Sequence, residues 1–154
     1  MRLLIKNFIC CLSIVVIITC NESVPDFDQN SAYQFLLDQC DFGPRNPGSV
    51  GYNNCREFLL KTLGGYSDTV FTQPFVINDI DDKQYDLSNI IAQYNINSNS
   101  HLLIGAHWDT RPWADNDLNI QKHNQPIIGA NDGASGVSVL LELARIFHDN
   151  PPPI

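Results

Sequence analysis

Two short stretches of this chain carry the residue types that chemistry needs. One is His107-Trp108-Asp109, at the end of the apolar run Leu102-Leu103-Ile104-Gly105-Ala106. The other is Gly129-Ala130-Asn131-Asp132-Gly133-Ala134-Ser135-Gly136, which opens an apolar segment of helical period. In an extended chain residues i and i+2 point to the same side, so His107 and Asp109 project together. They do so at the carboxyl end of a strand, where open α/β sheets place their ligands. An imidazole binds zinc directly, and a neighbouring carboxylate either joins it or orients it from behind. A hydrogen-bonded strand end has the same His-X-Asp pattern. Asp132 likewise has two readings. It is a good helix N-cap with Gly133 easing the turn, or it is an ionised carboxylate held beside helix N–H groups for a divalent cation. The small residues around it leave room for a ligand's close approach.

The elements that must position these groups follow from period and punctuation. Ala32, Phe35 and Leu36 predict a helix over Ser31–Cys40, capped by Asn30 or Ser31. Phe42-Gly43-Pro44-Arg45-Asn46-Pro47-Gly48-Ser49 is a turn by its Gly/Pro content. A second helix is expected over Val50–Leu63, ended by Gly64-Gly65. β-Branched and aromatic residues predict strands at Thr69–Gln73, Phe75–Ile77 and Leu87–Ile96, with Asn78–Lys83 as a polar turn. Leu102–Ala106 reads as a strand covered on both faces, and Thr110–Ile128 as a long loop. Val137–Phe147, apolar almost all round, reads as a buried helix that Pro151-Pro152-Pro153 stops. The order suggests an α/β sandwich. Its buried strand and helix call for neighbours that are expected beyond Ile154.

Composition narrows the function. Aliphatic and aromatic residues make up 44% of 154 residues, which is not a disordered composition. The net charge of −8, with no basic stripe, argues against a nucleic-acid partner. Arg2 and Lys6 precede the apolar run Phe8–Ile18, which is shorter than the roughly 20 residues that span a bilayer and reads as an export signal. Ile17-Ile18-Thr19-Cys20 resembles a lipoprotein cleavage box in which Cys20 is lipidated; an ordinary secretory signal is the alternative. The expected organisation is a signal peptide over 1–20, a tether over 21–30 and a folded part over 31–154, exported to a bacterial periplasm or envelope. Cys40 and Cys55 flank the Gly/Pro turn. They are either a disulfide contributing about 3 kcal/mol or two reduced, buried thiols.

At the residues from Ala106 to Asp115, with the Asn-Asp-Gly-Ala-Ser-Gly box, the chain resembles the zinc aminopeptidase family that also contains the glutaminyl-peptide cyclotransferases. The Phe42–Ser49 turn is similar to the one between the first two helices of bacterial members of the animal-type glutaminyl cyclases. The resemblance runs from about Tyr33 to the end. It implies a three-layer α/β/α sandwich with a mixed sheet, of which only the amino-terminal half is present. It also implies that Asp132 is a metal ligand, bridging in two-zinc aminopeptidases and holding a single zinc in cyclases. His107 matches an aminopeptidase zinc ligand that in cyclases need not hold metal. Asp109 matches the catalytic-site aspartate that supports the ligands from behind. Trp108 and Trp113 would either rim a substrate pocket or pack the loop. The remaining ligands, a glutamate with its neighbouring acid/base carboxylate and a histidine, are expected beyond Ile154. The implied reaction is cyclisation of the amino-terminal glutamine of exported peptides to pyroglutamate, with ammonia released and one zinc required. The alternatives are a two-zinc aminopeptidase and an inactive truncated fragment. The implied partner is a peptide or protein amino terminus, with a membrane involved only through a lipid anchor.

Overall fold

The computed structural model describes residues 24–152, so the export segment, Cys20 and the start of the expected tether lie outside the described residues. Helix α1 spans Gln29–Asp41, two residues ahead of the expected start. The cap is Asp28, whose carboxylate accepts from the N–H groups of Asn30 and Ser31 at 2.8 and 3.2 Å. A side chain two positions upstream of Asn30 takes the cap because the N–H groups of Asn30 and Ser31 both fall within its reach. The described end of the tether is itself anchored. The Asp28 N–H donates to Glu142 Oε1 at 2.9 Å, and Arg145 Nη2 reaches the Asp26 carbonyl at 3.5 Å.

Helix α2 spans Val50–Tyr66, capped by Ser49, whose hydroxyl accepts from the Tyr52 N–H at 3.0 Å. It runs through Gly64-Gly65 rather than stopping there. The chain ends it at Ser67, whose N–H and hydroxyl both donate to the Leu63 carbonyl. Strand β1 spans Thr69–Asn78 and pairs antiparallel with β2, Gln84–Gln93, with Thr72 opposite Ile90 and Phe75 opposite Leu87. The two strand segments expected around Pro74 are thus one strand, as an edge position tolerates proline. Helix α3 spans Ser135–Asp149. It is buried along one face, by Val137, Leu141, Ala144 and Ile146, while Val139 is exposed. Cys55 and Leu59 of α2 meet Val137 and Leu141 of α3 in the core, with Phe35, Phe42, Phe58, Ile90 and Trp108 packed around them.

Two differences from the sequence reading concern the site's supports. Leu102–Ala106 forms no strand and joins no sheet among the described residues, and Leu102 and Leu103 are 69% and 91% exposed. Grooves of about 480 and 610 Å³ separate it from β2. The apolar run was read as covered on both faces; the described chain leaves it bare. The long loop is tied across its base by Ala114 N–H to Gln125 O and Ile127 N–H to Arg111 O, with a 3₁₀ turn at Ile120–Lys122. No helix of the described residues is long and apolar enough to cross a membrane.

Candidate metal centre

His107 leaves the end of the apolar run and points at the turn that precedes α3. Its Nε2 lies 3.0 Å from Asp132 Oδ1. Its Nδ1 lies 3.2 Å from the Asp109 carbonyl oxygen and 3.5 Å from Asp109 Oδ1. Both ring nitrogens therefore face oxygen acceptors. A neutral imidazole carries one N–H, so it satisfies one contact and turns a lone pair on the other. A metal ion between the ring and one of the oxygens would satisfy both contacts at once. With Nδ1–H donated to the Asp109 carbonyl, the place for it is between Nε2 and Asp132.

That place fits zinc. Two donors on one tetrahedral ion with bonds of about 2.0–2.1 Å stand roughly 3.3 Å apart, close to the 3.0 Å observed between Nε2 and Oδ1. Nitrogen and carboxylate oxygen are both zinc donors. The His107, Asp109 and Asp132 side chains are each about half exposed, at 56%, 49% and 61%, so the centre is open to further ligands. Among the described residues no group of three or more His, Cys, Asp or Glu is placed to hold a metal. His107 and Asp132 are therefore two candidate donors among the described residues, short of a complete metal shell.

The turn holding Asp132 is built by glycine. Asp132 does not cap α3: its backbone is extended (φ −91°, ψ 92°), the helix begins at Ser135, and the cap position is Ala134 without a side-chain bond. Gly129 has φ +63°, and a Cβ there would stand 2.4 Å from Thr110 Cγ2 and 2.6 Å from the Asp132 carbonyl. A Cβ on Gly133 would stand 3.0 Å from the Asp109 carbonyl and 3.3 Å from the His107 ring. Only bare backbone lets the two stretches approach so closely.

The other expected site residues separate. Trp108 stacks on Tyr52, with ring centroids 4.2 Å apart, and packs against the core cluster. Trp113 is exposed. Cys40 and Cys55 are both free thiols, not a disulfide; burial pushes the Cys55 thiol up to about 11. Asp115 pairs with Arg111 at 2.8 Å, and His123 Nε2 meets the Asp117 carbonyl at 2.7 Å, so these residues hold the loop. The residue that sequence reasoning missed is Arg45, wholly buried and bonded to both halves of the centre. Its signal was an arginine inside a Gly/Pro turn, where solvent would be the ordinary surroundings.

Residues 89–153 match peptidase family M28. The chain is similar in fold to the glutaminyl cyclase of Bacteroides thetaiotaomicron, with a TM-score of 0.83 and 42% identity over 86% of this chain and 45% of that one. It is equally similar to a Zn-dependent exopeptidase from Parabacteroides distasonis, with a TM-score of 0.83 and 36% identity over 86% of this chain and 45% of that one. A glutaminyl-peptide cyclotransferase-like protein of Bos taurus is 30% identical over 107 residues, 66% of this chain and 25% of the relative. The fold is the α/β fold of glutaminyl cyclases and M28 peptidases, its described sheet two antiparallel strands. The match over residues 89–153 and the likeness in fold both point to the cyclases and zinc exopeptidases as the proteins this chain is similar to. The chain spans less than half the length of the solved relatives and a quarter of the bovine one.

Proposed function

We propose that the centre at His107, Asp109 and Asp132 belongs to a zinc-dependent glutaminyl-peptide cyclotransferase acting on exported peptides. The observation that carries the reading is the imidazole caught between two oxygen acceptors, an arrangement that a metal ion at the Asp132 side would satisfy. Similarity to solved and curated cyclases supports the choice of reaction, as does the run Trp108-Asp109-Thr110-Arg111-Pro112-Trp113. Bound zinc would polarise the γ-carboxamide of an amino-terminal glutamine. This chain's own part is to supply the Asp132 carboxylate, to set the His107 ring beside it, and to fix that ring's tautomer through the Asp109 carbonyl. Attack by the peptide's neutral α-amine then closes the five-membered ring and expels ammonia. The carboxylate that moves the proton would come from outside these residues. The second reading, a zinc aminopeptidase, is favoured by the equal likeness in fold to the exopeptidase; there His107 would be a ligand and two zincs would be bound.

A chimera decides between them. Residues 24–152 are joined to the portion of the Bacteroides thetaiotaomicron cyclase that they do not span. Ammonia release from a Gln-initiated peptide, with one zinc per chain, is the expected result, and Asp132→Ala abolishes it. Two zincs with free amino-acid release would establish the peptidase, and an inactive, zinc-free chimera would refute both.

A further inference from the structure

Arg45 is fully buried, and among the described residues no carboxylate lies within salt-bridge distance of it. A buried charge without a counter-ion is costly unless its donors are all used. All three guanidinium nitrogens of Arg45 donate to carbonyls. Nε donates to Trp108 O at 3.1 Å. Nη1 donates to Gln39 O at 3.1 Å, Gly43 O at 3.4 Å and Ile128 O at 2.9 Å, and Nη2 to Gly129 O at 3.0 Å. The backbone of the same residue pairs with Thr110: the Arg45 N–H donates to Thr110 Oγ1 at 2.9 Å, and the Thr110 N–H to Arg45 O at 3.3 Å.

Gln39 and Gly43 tie the guanidinium to α1 and to its own turn, and the remaining four partners fall into two groups. Trp108 and Thr110 bracket Asp109 and follow His107. Ile128 and Gly129 open the turn that carries Asp132. The two groups are joined along the chain by the long loop, whose base is tied by the Ile127 N–H to Arg111 O bond at 3.4 Å, and Arg45 adds a side-chain clamp across the same base. We infer that Arg45 is the positioning residue that sets the His107–Asp132 separation, its planar fork clamping the histidine segment to the aspartate turn. Lysine, with a point charge and three donors, cannot reproduce a fork that reaches five carbonyls.

The test is amide exchange and zinc titration on the whole chain, with Arg45→Gln and Arg45→Lys. Two reporter amides lie in the two halves: Thr110 N–H, bonded to Arg45 O, and Ala134 N–H, bonded to Gly129 O at 3.2 Å. A third, Gly43 N–H bonded to Cys40 O, reports the turn alone. In Arg45→Gln, Thr110 and Ala134 should exchange about tenfold faster or more, and together, since charged hydrogen bonds are removed from both halves. Zinc affinity should fall by about 10–100-fold, the usual loss when a ligand's support is removed. Arg45→Lys should lie between that variant and the parent, and carries the test if Arg45→Gln fails to fold. Acceleration confined to Gly43, or a lysine variant equal to the parent in exchange and zinc affinity, would overturn the inference. The zinc arm rests on the metal reading above and the exchange arm does not. A parent chain that takes up no zinc counts against the metal, while the amides still decide Arg45.

Discussion

Gly129→Ala tests whether crowding or mere backbone preference fixes the aspartate turn. Alanine at φ +63° costs about 1–2 kcal/mol for the left-handed conformation alone. The added methyl would also sit 2.4 Å from Thr110 Cγ2 and 2.6 Å from the Asp132 carbonyl oxygen. The threonine is 3% exposed and the carbonyl is backbone, so neither yields by a rotamer change. Relieving such overpacking costs about 1–3 kcal/mol, which brings the total to about 2–5 kcal/mol. Gly43 is the internal control. Its φ is +76°, but nothing lies within 4 Å of its missing Cβ, so Gly43→Ala should cost only the first part, about 1–2 kcal/mol. The unfolded-state gain from replacing glycine is the same in both and cancels. The variants should therefore melt about 2–12 °C apart, at roughly 2–4 °C per kcal/mol for a chain of this size. Urea unfolding measures the difference, and zinc titration reads the displaced Asp132 carboxylate. Equal losses in the two variants, within about 0.5 kcal/mol, would refute the claim that close approach fixes this turn.

Three further outcomes are expected. Glu142 is buried, and the Arg145 guanidinium with the Asp28 N–H holds its carboxyl below the usual range; its stabilisation is complete above its ordinary value of 4.5 and is lost as pH falls through the depressed folded value. Glu142→Gln should cost about 1–3 kcal/mol at pH 7 and remove that acid dependence, which unfolding curves at pH 3–7 would measure. Cys55, at zero exposure with a thiol near 11, should resist iodoacetamide at pH 8 in the folded chain while half-buried Cys40 reacts, and mass spectrometry of the two peptides reads the difference. The 154-residue chain with added zinc should release neither ammonia from a Gln-initiated peptide nor free amino acids, since no group of three or more potential ligands is assembled among its described residues; turnover in either assay would contradict that.

The helices and the hairpin were legible because their periods are set locally. The boundaries moved where a neighbour decided them: Asp28 displaced the expected cap, and Ser67 closed a helix that two glycines did not. The pairing of His107 with Asp109 was visible in i, i+2 geometry alone. Its meeting with Asp132 was not, since that contact depends on a fold across the whole loop. Resemblance to a family groups the three residues, whereas their contact is a product of tertiary packing. Arg45 escaped because an arginine in a turn carries no periodic signature; its importance lies in carbonyls 63 and 83 residues away. For the tryptophans residue type left rim and packing open, and the structure adds that Trp108 packs on Tyr52 while Trp113 is exposed.

The bare run Leu102–Ala106 carries a consequence for handling the protein. Its peptide groups have no ladder, its leucines face water, and β2 across the groove offers a second unpaired edge. Two molecules meeting there can zip together through their main chains with no change in fold. Colloidal behaviour should therefore worsen with concentration rather than with temperature, and a charged residue at the 91%-exposed Leu103 is the remedy of choice for keeping samples dispersed.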